Sequence, residues 1–119
     1  MIFLTPEVYK QIEDLKKKIQ AQILKIAKDA YVLNSDDFQI QFELIGHTEA
    51  LQLGVYIGGT NEKYSNLTVI LHCYIKVYPW EKPSTEAWQE ILNKLIEGQR
   101  KLRELKKQQV AEAKKAEAL

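Results

Sequence analysis

Six residues in the middle of the chain are of types that make contacts or carry chemistry: Tyr56, His72, Tyr74, Lys76, Tyr78 and Trp80. Four of them fall within or at the end of one run, Leu67 to Tyr78, LTVILHCYIKVY. Side chains on a strand alternate with period two, so His72, Tyr74, Lys76 and Tyr78 share a face. An imidazole works as a base or metal ligand only with partners, and these are missing from the pattern. No second histidine lies two residues from His72, His47 falls in a turn signal, and Cys73 points away from His72. No catalytic residue, metal site or cofactor is therefore expected. Tyrosines on an open sheet face suit two other tasks, stacking on nucleic-acid bases or packing against a protein, where tyrosine is enriched. Strand faces also favour tyrosine and threonine for plain packing reasons.

A second group lies near the end of the chain. Arg100, Lys101 and Arg103 open a basic stretch in which seven Lys or Arg stand against three Glu between Arg100 and Leu119, a local +4. Such a stretch meets phosphate or an acidic partner, but Glu104, Glu112 and Glu117 intersperse the cations and equally suit a solvated helix surface. Between Asn34 and Pro83 the balance is reversed, six acids against three bases. Gly58-Gly59 with Lys63 lacks the Gly-Lys-Ser/Thr ending of a phosphate loop. Asp36, Asp37 and Glu49 are explained by caps and turns.

The elements that must position these residues are legible in the periodicity. Thr5-Pro6-Glu7 is a helix start, with Thr5 as cap and Pro6 at the first helical position. Val8, Ile12, Leu15, Ile19, Ile23, Ile26 and Ala30 then recur at steps of three and four, an amphipathic stripe reaching about Leu33. Leu24, Ala27 and Tyr31 are expected to widen it. Asn34 ends the helix, with a left-handed conformation as the expected device. Phe38, Ile40, Phe42 and Leu44 alternate with polar residues, as do Leu51, Leu53, Val55 and Ile57 after a turn at Gly46-His47-Thr48. In the third strand Leu67, Val69, Leu71, Cys73, Ile75 and Val77 are expected inward, with Thr68, Ile70, His72 and Tyr74 outward. Pro79 and Pro83 close the sheet. Ser84 caps a last helix whose stripe is Trp88, Ile91, Leu92, Leu95, Ile96, Leu102 and Leu105. Gly98 weakens it by about 1 kcal/mol relative to alanine.

The expected fold is α+β in the order α-β-β-β-α, a three-stranded antiparallel meander covered on one face by two long helices. Residues 1–105 form one domain, and 106–119 a basic, Ala-rich helical extension of the last helix. The order is similar to that of double-stranded RNA-binding domains and of some nucleoid-associated dimers. The basic cluster that opens the last helix of the RNA-binding domain is absent, since here that turn reads Ser84-Thr85-Glu86-Ala87-Trp88.

At 119 residues the chain can bury a core as a single domain. A net charge of +1 does not make nucleic acid the default partner. The apolar start Met1-Ile2-Phe3-Leu4 is too short for a signal peptide, no run reaches the roughly 18 apolar residues of a membrane span, and one cysteine excludes an internal disulfide. The expectation is a small soluble intracellular protein, cytoplasmic and without a membrane partner. It is a non-enzymatic interaction or assembly module that binds itself as a homodimer, or another protein, through the outer sheet face or the projecting last helix. Tyr56, His72, Tyr74, Lys76, Tyr78 and Trp80 are the contact residues. The alternative is a nucleic-acid binder using the sheet-face tyrosines with Arg100, Lys101 and Arg103.

Overall fold

The computed structural model describes residues 5–46, 49–57, 67–77 and 85–117. The order is α1 (Pro6–Leu33), β1 (Phe38–Ile45), β2 (Ala50–Ile57), β3 (Leu67–Tyr74) and α2 (Thr85–Glu117). The three strands form one antiparallel sheet in the order β1-β2-β3. This is the expected α+β meander with helices on one face.

Helix α1 begins as its sequence dictates. The Thr5 hydroxyl accepts the Val8 N–H at 3.2 Å, and Pro6 needs no acceptor in the first turn. Its buried line is Ile12, Leu15, Ile19, Gln22 and Ile26. Leu24 and Tyr31 do not widen it: they are 70% and 87% exposed, on the side facing away from the sheet. Asn34 is not left-handed either. It is extended, at φ −64° and ψ 136°, and its side-chain Oδ1 accepts the Ile40 N–H at 2.8 Å. Ser35 and Phe38 exchange backbone hydrogen bonds across the turn that follows.

The two helices run parallel, because three strands, an odd number, separate them. Contacts rise together along both: the Lys16 ammonium lies over the Trp88 ring, Gln22 meets Gln99, Asp29 meets Arg103, and Lys106 meets Ser35. Under them Phe38, Leu51, Leu53 and Val55 are fully enclosed with Ile26, Leu95 and Leu102. Gly98 has a packing reason. A Cβ there would stand 2.8 Å from Leu71 Cδ2 and 3.2 Å from its Cβ, so glycine is what lets α2 sit this close to β3.

Strand β3 departs from strict alternation. Leu53 pairs with Leu71, but Gly54 pairs with Val69, so Ile70 is an extra residue in the ladder. The parity of the strand flips there. Leu71, Ile75 and Val77 pack against the core and Cys73 is buried, as expected, with Ile70 added to the inward set. Leu67 and Val69 turn outward. Leu67 now pairs with Tyr56 and shields Gly54, and Val69 is 53% exposed.

Beyond Leu102 no residue of α2 is buried. The helix continues past Lys106, which donates to Ser35 Oγ, for about three more turns, roughly 16 Å. No helix among the described residues is long and apolar enough to cross a membrane.

Candidate interaction surface

Directly opposed residues of an antiparallel pair share a face, so the ladder defines the uncovered side of the sheet rung by rung. Its four rungs are Gln39–Tyr56–Leu67, Gln41–Gly54–Val69, Glu43–Gln52–His72 and Ile45–Ala50–Tyr74. No described helix or strand lies over them. Tyr56 is half-buried, while His72 and Tyr74 are exposed, Tyr74 at 58%. The two rings meet edge to face, with centroids 5.9 Å apart and planes at 83°. Lys76, past the last rung, is held by Glu49 at 3.1 Å. The Gln41 Oε1 is enclosed on this face without a hydrogen-bond partner.

The structure thus brings Tyr56, His72 and Tyr74 to the uncovered side of the sheet, whereas Lys76 lines a cleft with Glu49, Lys16, Ile19 and Trp88 on the helix side. Tyr78 and Trp80 lie outside the described residues. Leu67, Val69 and Glu43 belong to the surface as well. The first two were hidden from sequence reasoning by the Ile70 bulge, and Glu43 was visible as an outward residue without an evident opposite.

The basic residues of α2 behave differently from a phosphate-binding row. Arg103 grips Asp29 through two hydrogen bonds, Nε to Oδ2 at 2.6 Å and Nη2 to Oδ1 at 3.2 Å. Arg100 is bidentate on Glu97, at 2.9 and 2.6 Å. Lys101 is exposed. The Asp29 carboxylate also accepts Gln99 Nε2 at 2.9 Å, and Gln99 Oε1 in turn accepts Gln22 Nε2 at 2.7 Å. This chain of four polar side chains sets the register of the two helices. Burial by itself raises the Asp29 pKa, but the hydrogen bonds from Arg103 and Gln99 and the Arg103 charge outweigh it, leaving the carboxyl below its ordinary value. The signal for the chain was present: Gln22 and Asp29, seven apart, and Gln99 and Arg103, four apart, interrupt the seam between the helices.

Where α1 ends, α2 leaves a cleft of about 590 Å³ floored by Leu33, Val110 and Ala111 and rimmed by Lys106, Lys107 and Lys114. Lys106 is already engaged, donating to Ser35 Oγ at 3.0 Å and lying over the Phe38 ring. Among the described residues no three His, Cys, Asp or Glu gather to hold a metal ion. The Cys73 thiol donates to the Tyr74 carbonyl at 3.2 Å, and burial pushes its pKa up, so it is a packed thiol and a poor nucleophile. Comparison of the chain with protein-family models, with characterised proteins and with solved structures finds no match.

Proposed function

We propose that this chain is a non-enzymatic assembly module that binds a second copy of itself through the uncovered face of its sheet. One observation carries the reading: the helices cover one side only, and the other side presents Tyr56, Leu67, Val69 and Tyr74 around His72. The exposed Val69 and Tyr74 with the half-buried Tyr56 and Leu67 form the kind of patch that interfaces bury. A free, enclosed thiol suits a reducing compartment such as the cytoplasm.

The test is light scattering over a concentration series, with Tyr74→Asp alongside the native chain. Self-association is expected for the native chain and a loss of about tenfold for the variant, the cost of placing a charge in an apolar contact. A strict monomer at millimolar concentration overturns the reading. Running the native sample with and without nuclease settles the rival, nucleic-acid binding. That rival is less well served, because Arg100, Arg103 and Lys76 already hold carboxylates.

A further inference from the structure

Two copies of one sheet can meet face to face about a two-fold axis lying between them in two main ways, and the charges on this face distinguish the two. Glu43, Gln52 and His72 occupy a single rung, with the acid on β1, the neutral amide on the central strand and the imidazole on β3. Glu43 and His72 are both exposed. If the axis runs across the strands along this rung, Glu43 faces Glu43 of the second copy and His72 faces His72, which sets like charges opposite each other. If the axis runs along β2, β1 of one copy lies over β3 of the other, and Glu43 faces His72 twice. The same operation sets Ile45 over Tyr74 of the second copy, also twice.

We infer that the second copy docks sheet to sheet about an axis along β2, with Gln52 near the axis and Glu43 of each copy against His72 of the other. This rests on the self-association proposed above and specifies its geometry. Isologous contact of this kind closes at two copies. The footprint is modest. Three strands of eight residues give a face of about 14 by 27 Å, below the roughly 800 Å² per partner of a standard interface. The dimer is therefore a weak, micromolar one, in which two charge pairs make a measurable difference.

Within its own copy His72 has the Tyr74 ring beside it on β3 and Gln52 opposite it on β2. Docking brings it Glu43 of the second copy, and the two-fold axis makes that contact twice. Two partly exposed contacts of this kind are expected to change the dimerisation constant by about three- to tenfold.

The decisive experiment is a charge swap read by sedimentation equilibrium, with circular dichroism to confirm folding. Glu43→Lys alone removes the acid that meets the imidazole, and His72→Glu alone sets two glutamates face to face, so each weakens the dimer. The double variant restores it by setting each lysine against a glutamate of the other copy. If the native chain dimerises but neither single reversal weakens it, or the double variant fails to recover, the docking geometry is overturned and self-association stands. If the native chain never dimerises, both fall.

Discussion

Asp29 shows how far one side chain's role depends on its neighbours. It accepts from Arg103 and Gln99 at the joint between α1 and α2, and its side chain is only 15% exposed. A carboxyl whose folded-state pKa lies below the unfolded one stabilises the fold above the unfolded value. That contribution fades as pH falls through the folded value. For Asp29 the ordinary value is 3.8 and the shift is downward, so its contribution is complete at neutral pH and is lost in strong acid. Asp29→Asn is expected to cost about 1–2 kcal/mol at pH 7, as charge-assisted hydrogen bonds to a partly solvated arginine do. In urea unfolding the gap between native and variant should close toward pH 2–3; a gap that persists there would mean the pair's charge contributes nothing. Reading the sequence alone offered Arg103 to phosphate in the nucleic-acid alternative, beside a solvated helix surface. The pairing with Asp29 is a contact between residues 74 apart, and no local pattern announces a contact of that range.

At the level of elements, alternation and three-four spacing were enough to place all five helices and strands, because burying one face imposes those periods on any sequence that folds this way. They could not reveal the Ile70 bulge, which is a property of how β2 and β3 register and not of either strand by itself. This is why Leu67 and Val69 looked inward. The stripe on α1 was overdrawn for a related reason: apolar type does not say whether a second layer exists to cover Leu24 and Tyr31. Gly98 was legible as a weak point, and the fold supplies its cause in Leu71. Gly98→Ala gains helix propensity of about 1 kcal/mol but meets Leu71, and overpacking of this kind costs about 1–3 kcal/mol. The variant is expected to be less stable by up to about 2 kcal/mol. In a Leu71→Ala background the same change should become neutral or stabilising. A double-mutant cycle by chemical unfolding measures the coupling, and additivity would show that the helix and strand do not constrain each other there.

The whole molecule measures 65 × 26 × 17 Å. A 33-residue helix spans about 50 Å, more than the sheet and α1 together can cover. The expectation that residues 106–119 extend beyond the domain has a direct check. Deleting residues 108–119 should leave the thermal midpoint within about 2 °C of the native chain, since no residue from 108 to 117 is buried and a loss of 1 kcal/mol would move it by several degrees. A drop beyond about 5 °C would mean that the projecting turns support the fold.

The Asn34 side chain and the Ile70 bulge, at opposite borders of the sheet, have a joint consequence. Asn34 takes up an N–H that points away from β2, and the bulge twists β3 out of a flat ladder. At those positions both devices work against pairing with another strand, the means by which folded proteins guard against stacking into fibrils. Recognition at this sheet then falls to the texture of its side chains.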